Sequence, residues 1–115
     1  MLQKPYRLRR NADFRRVYRQ SKSISCKYLV LYPKRVKEDR LRVGFSISKK
    51  IGKANVRNRL KRRLSEIIRL NLAHLQPGYD LIFVARGPIV GLDYRELEKN
   101  VRYLLEKSGV WQHEA

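Results

Sequence analysis

Between Lys49 and Arg69 the chain carries nine lysines and arginines against a single acid, Glu66. Fixed cations at that density suit the binding of phosphates. A run of like charge is ordinarily solvated or disordered, but here Val56, Leu60, Leu64, Ile67 and Ile68 recur at helical spacing. That spacing predicts an amphipathic helix from about Ala54 to Leu72. Asn58, Arg62 and Arg69 lie near the side opposite its apolar arc, while Arg57 and Lys61 flank one edge and Arg59 and Arg63 the other. With only Glu66 to pair with, these cations cannot form a salt-bridge lattice along the helix. A second group, Phe14, Tyr18, Tyr28, Tyr32 and Phe45 with the small Ser46 and Ser48, could supply stacking faces. Single strands are held in this way: bases stack on rings at about 1–3 kcal/mol each while Lys and Arg follow the backbone. Phe45 reads as core, which leaves Phe14 and Tyr32 as the stronger candidates.

Bond-breaking chemistry is not legible. Gly44 and Gly52-Lys53 miss the Gly-x-x-x-x-Gly-Lys-Ser/Thr spacing of a phosphate loop. His74 sits near a helix end and His113 in the tail, neither beside a Ser or Cys nucleophile pattern. The ten carboxylates are scattered, whereas a metal-dependent nuclease needs converging Asp or Glu ligands. The one adjacent pair, Glu38-Asp39, falls in a basic turn suited to solvent. Cys26 is alone, so neither an internal disulfide nor zinc-ligand spacing is available, and it reads as a small apolar strand residue. The expectation is no catalytic residue and no metal site in the chain itself.

The elements that must position these groups follow from period and punctuation. Residues 1–10 are basic and aperiodic. Asn11 or Asp13 could cap a short helix with Phe14, Val17 and Tyr18 on one face, ending near Gln20-Ser21. Two β-rich stretches follow, 24–33, closing at Pro33, and 41–48, with the charged turn 34–40 between them. In the second, Leu41, Val43, Phe45 and Ile47 alternate with Arg42, Gly44, Ser46 and Ser48. One face is therefore large and apolar, and the other is small enough to leave room for something to lie there; a solvated sheet face is the plainer reading. Gln76-Pro77-Gly78 is a turn, and Asp80 to Arg86 a strand ending at Gly87-Pro88. Asp93 to Glu96 has capping-box spacing and opens a last helix with Leu97, Val101, Leu104 and Leu105 inward, closed at Ser108-Gly109. Four acids and four bases between 93 and 107 make it an ordinary packing helix, so the excess charge lies in residues 1–69. If the strands flanking the long helix are parallel neighbours, their crossover would by general rule be right-handed.

At 115 residues and 43% apolar content the chain fits one domain with one modest core. Residues 1–10, as a basic arm, and 110–115, as a tail, are the parts expected to be flexible. A formal net charge of +18 repels itself unless a polyanion supplies counter-charge, which points to nucleic acid or an anionic membrane. No apolar run nears the roughly 20 residues of a spanning helix. A basic helix lying on lipid usually carries Trp or Phe at its boundary, and none lies between Asn55 and Leu72. Nucleic acid is the better partner. Met1 to Phe14 has no apolar stretch of the kind a secretory signal needs, so a cytoplasmic location is expected.

At these residues the chain resembles the protein subunit of bacterial ribonuclease P. The most specific piece is Ser46-Ile47-Ser48-Lys49-Lys50-Ile51-Gly52-Lys53-Ala54 followed by Val56-Arg57-Asn58-Arg59-Leu60-Lys61-Arg62, similar to the family's Arg-Asn-Arg signature. Asp13 to Tyr18, Leu29 to Tyr32 and Tyr79 to Arg86 support it, so the match runs through nearly the whole chain. The resemblance implies an α/β (α+β) two-layer sandwich, a four-stranded central sheet with three helices in the order α-β-β-β-α-β-α. It further implies a ribosomal-protein-like arrangement with a left-handed crossover. Catalysis would belong to an RNA subunit using Mg²⁺, which removes the 5′ leader from precursor tRNA, and the chain alone would bind no cofactor.

Carried over by position, Arg57, Asn58, Arg59, Lys61 and Arg62 would contact the catalytic RNA, helped by Lys49, Lys50 and Lys53. Phe14, Tyr18, Tyr32, Ser46, Ser48 and Arg86 would line the groove for the single-stranded leader. Tyr18 stands where many relatives have Phe and keeps a stacking face. The residues after Gly109 match nothing, and Trp111 reads as tail. Composition alone would equally support a general or ribosomal-type RNA-binding protein. A DNA-binding helix module is disfavoured by the broad basic face and the lack of a helix-turn-helix partner. A nuclease would have to cut RNA with Mg²⁺ and no RNA partner.

Overall fold

The computed structural model describes residues 2–112. Helix α1 (Asn11–Gln20) is followed by strands β1 (Ile24–Ser25), β2 (Leu29–Arg35) and β3 (Leu41–Ser46), helix α2 (Ala54–Leu70), strand β4 (Tyr79–Ala85) and helix α3 (Tyr94–Ser108). The strands form one sheet in the order β1-β2-β4-β3. β1 and β2 pair antiparallel, as do β2 and β4, while β3 runs parallel to β4 and α2 connects them.

Alternation along β4 sorts the sheet into two faces. Leu81 and Phe83, fully buried, face the main core with Leu29, Leu31 and the inner stripes of α2 (Leu60, Leu64, Ile67) and α3 (Leu97, Val101, Leu104). Ile82 points the other way, onto Val17 of α1 and Leu8, with Phe14, Tyr32 and Val84 around them. The sheet and the α2/α3 layer make the sandwich, and α1 lies across the opposite face. Asp93 caps α3 as its spacing predicts, accepting from the Glu96 N–H at 2.8 Å, and Gly109 ends it in the left-handed region at φ 83°.

Several sequence expectations are corrected. The stretch 24–33 is two strands around a turn at 26–28, so half-buried Cys26 is a turn residue and not a strand residue. β2 runs through Pro33 to Arg35. Val36 N–H donates to the Gly78 carbonyl and Arg86 N–H to the Tyr28 carbonyl, so by alternation the nitrogen of Pro33 points away from β4. There β1, which pairs only with Val30 and Leu31, no longer reaches it, and a missing donor costs no ladder bond. Neither Asn11 nor Asp13 caps α1; Arg10 holds the cap position with no side-chain bond. β3 stops at Ser46, and α2 ends at Leu70.

Both ends of the described residues pack onto the fold. The basic arm is folded onto the sheet: Leu2 and Leu8 are buried, and the Leu8 N–H donates to the Val43 carbonyl at 3.0 Å. Trp111 is likewise no loose tail. It is buried, its ring stacks on His74 at 4.8 Å, and the Arg102 guanidinium lies over it at 4.6 Å. Met1 and His113 to Ala115, with the remainder of the tail expectation, lie outside the described residues.

One ion cluster ties the second face together. Asp80, 1% exposed, accepts from Arg42 Nε at 3.0 Å and Nη2 at 2.9 Å, and from Arg40 Nη2 at 3.2 Å. Arg42 also reaches Asp13 of α1, Nη1 to Oδ2, at 3.6 Å. The hydrogen bonds to Asp80, against some loss of solvation, push the Arg42 pKa above its ordinary value. Asp80→Asn should therefore leave two half-buried guanidiniums short of counter-charge and lower stability by about 3 kcal/mol. Urea denaturation measures this; a loss below about 1 kcal/mol would show that the cluster does not hold the sheet and α1 together.

Candidate nucleic-acid interface

The long helix enters the fold with its charge uncompensated. Lys49 and Lys50 stand exposed on the 3-10 turn Lys49–Ile51, Lys53 occupies the cap position of α2, and no acid sits in the first turn. The free N–H groups and positive dipole at that end add to the cationic side chains, making a pole that favours an anion. Further along, Asn58, Arg59, Lys61 and Arg62 are exposed, and half-buried Arg57 is anchored by Nε donation to the Gly52 carbonyl at 3.1 Å.

The acids of the fold are used elsewhere. Asp13, Glu38 and Asp80 pair with Arg16, Arg40 and Arg42, and Glu66 with Arg69. Among the described residues none of Lys49, Lys50, Lys53, Arg57, Arg59, Lys61 and Arg62 makes a salt bridge. An incoming phosphate would meet them without first breaking an internal pair.

Beside the helix, over the edge of the sheet, opens a cleft of about 530 Å³. Phe14, Gly44 and Ser46 line it with Arg7, Arg9 and Asn11 on one hand and Lys61 and Ser65 of α2 on the other. Gly44 is required here: a Cβ at that position would come within 2.5 Å of Phe14 Cζ and 3.2 Å of Leu8 Cβ. The room expected over the small residues of β3 is thus partly taken by the chain's own Phe14 and Leu8; Ser46 still faces the cleft. Tyr18, 38% exposed, meets Tyr32 edge to face at 4.9 Å and lies 6.3 Å from Phe14. These three rings form one aromatic set.

The other candidates fall outside that set. Phe45 reaches the cleft wall but stacks on buried Phe83 at 6.1 Å, and Tyr28 packs against the main core. Ser48 is exposed just before the Lys49–Ile51 turn, and Arg86, at the end of β4, donates to the Cys26 carbonyl at 3.3 Å; neither lines the cleft. Sequence reasoning missed Arg7, Arg9, Asn11 and Ser65. The alternation Arg7-Leu8-Arg9, with one apolar residue turned inward, was the signal for the first two.

Chemically the arrangement can follow a phosphodiester backbone and stack bases. Among the described residues no three His, Cys, Asp or Glu side chains are grouped to hold a metal ion, and no helix is long and apolar enough to cross a membrane.

The chain is similar to known proteins over nearly all of its length. The family model described as Ribonuclease P matches residues 2–109. The ribonuclease P protein component of Alkaliphilus oremlandii is 46% identical over 101 residues, covering 88% of this chain and 89% of that protein. That of Clostridium novyi is 45% identical over 112 residues, covering 96% and 99%. The crystallised Staphylococcus aureus RNase P protein superposes with a TM-score of 0.88 at 32% identity, covering 95% of this chain and all of that one. With its sequence matched almost from end to end and its fold superposed on a solved member, the chain belongs to the ribonuclease P protein component family.

Proposed function

We propose that the chain is the non-catalytic, RNA-binding subunit of a cytoplasmic ribonucleoprotein that removes the 5′ leader from precursor tRNA. The observation that carries this reading is the junction at Lys61, where cations of α2 that make no salt bridge among the described residues meet a cleft floored by an aromatic ring. Lys49, Lys50, Lys53, Arg57, Asn58, Arg59, Lys61 and Arg62 hold the folded catalytic RNA by its phosphates. The leader lies in the cleft with one base against Phe14 and the Ser46 hydroxyl free to bond a backbone or base-edge oxygen, and a neighbouring base reaches the Tyr18–Tyr32 pair beside the cleft. Ser48 and Arg86 lie outside this cleft, and the reading assigns them no contact within it.

Hydrolysis is assigned to the RNA subunit with its Mg²⁺, a reading supported by the lack of converging carboxylates among the described residues. What the protein contributes is affinity. By neutralising phosphates it allows RNA strands to approach at Mg²⁺ concentrations too low to screen them, with log K falling by about 0.7–0.9 per phosphate contact for each unit of log[salt].

Reconstitution with ribonuclease P RNA at low Mg²⁺ should restore leader removal, while the chain with Mg²⁺ alone should cut nothing. Failure to rescue would favour a general RNA-binding protein, and cutting without RNA a nuclease. Arg57→Ala or Arg59→Ala should weaken holoenzyme assembly at least about tenfold, a charge-assisted contact contributing about 1.5–3 kcal/mol. Phe14→Ala or Tyr32→Ala should instead cut the preference for leader-bearing over leaderless substrate by about tenfold; if that preference survives, the cleft does not hold the leader. Gly44→Ala, which must displace the Phe14 ring, should lower the same preference with little change in urea midpoint, and an unaltered preference would remove Phe14 from the stacking role.

A further inference from the structure

The cationic surface continues past the cleft into ground where no aromatic ring stands. Arg7 and Arg9 line the Phe14 cleft and also a second one, of about 570 Å³. This second cleft is walled by seven Lys and Arg residues and a single acid, Asp13, which Arg16 and Arg42 already pair. Arg16 and Arg40 are in turn shared with a third, of about 500 Å³, at the β2–β3 turn with Lys34 and Lys37. Common walls make the three one furrow, leading from the aromatic cleft past the N-terminal arm to the turn.

Four of its arginines, Arg7, Arg16, Arg40 and Arg42, are held in place by partners within the fold. Arg7 Nε donates to the Leu2 carbonyl at 2.7 Å, and Arg40 and Arg42 are fixed on Asp80. Apart from Asp13 and Glu38, both paired with arginines, the charged groups of the second and third clefts are guanidinium and ammonium, and no aromatic ring lines either, so this surface is suited to following a backbone rather than reading a sequence.

We propose that this furrow carries the distal part of a single-stranded RNA whose proximal part lies against Phe14, gripping it through phosphates alone. The proposal rests on the leader reading and extends it: long leaders run past Arg7 and Arg9, then along the arm, then to the β2–β3 turn.

The test uses reconstituted holoenzyme and precursor tRNAs whose leaders lengthen stepwise. With the unaltered chain, affinity keeps rising after the aromatic cleft is filled. Two double variants, Lys4→Gln with Arg10→Gln on the arm side and Lys34→Gln with Lys37→Gln on the turn side, leave short-leader affinity unchanged. Each lowers long-leader affinity about tenfold and flattens the slope of log K against log[salt] by about 1.4. The arm-side pair acts from a shorter leader length than the turn-side pair. A length gain that is absent from the unaltered chain, or that survives in both variants, overturns the proposal. So does a loss equal for long, short and absent leaders, which assigns the furrow to the catalytic RNA. Failure of the unaltered chain to distinguish leader-bearing from leaderless substrate would strike the leader reading itself and the furrow with it.

Discussion

Asp80 is the point on which the second face of the sheet is hung. Its carboxylate, all but removed from water, receives both prongs of Arg42, and the remaining nitrogen of that guanidinium reaches Asp13 on α1. A buried carboxylate must be compensated where it sits, so β3, β4 and α1 are brought to one geometry. Phe14, the next residue along α1, is thereby set over Gly44, and the floor of the cleft follows. Charge spent inside the fold thus positions the aromatic surface, while charge left outside it does the binding.

That allocation explains why so basic a chain folds at all. Asp13, Glu38, Asp80 and Glu66 are committed to particular arginines near the sheet and at the end of α2, Glu96 and Glu106 pair along α3, and among the described residues the cations from Lys53 to Arg63 receive none. The apolar stripe of α2 supplies the burial that holds those like charges on one rigid rod. The repulsion among them is a standing preference for a polyanion, present before any partner arrives.

Where local chemistry decides, the sequence was legible. Asp93, three residues before Glu96, gave the start of α3, Gly109 its end, and the spacing of Leu60, Leu64 and Ile67 the buried face of α2. What escaped were features set by distant contacts. Nothing near Leu8 says that it will pair with β3, nothing near Trp111 that it will stack on His74, and nothing near Asp13 that, besides Arg16 one turn on, it will meet Arg42 of β3. Pro33 read as a strand end because its tolerance depends on how short β1 is. Of the candidate site, Phe14, Ser46 and Lys61 line one cleft, and Tyr18 and Tyr32 stand beside Phe14, while Ser48 and Arg86 sit apart because β3 stops at Ser46 and Arg86 turns toward Cys26.

The edges of the sheet have a consequence for the chain before it finds RNA. An open strand edge is a template on which another copy can add, and from there aggregation can spread. One edge, β3, is occupied by the arm through Arg7 and Leu8. The other is covered by β1 only as far as Leu31, and just past that point comes Pro33, with no hydrogen to offer, followed by Lys34 and Arg35. A newly made subunit can therefore wait in solution, strongly charged and unpartnered, without being drawn into fibres of its own kind.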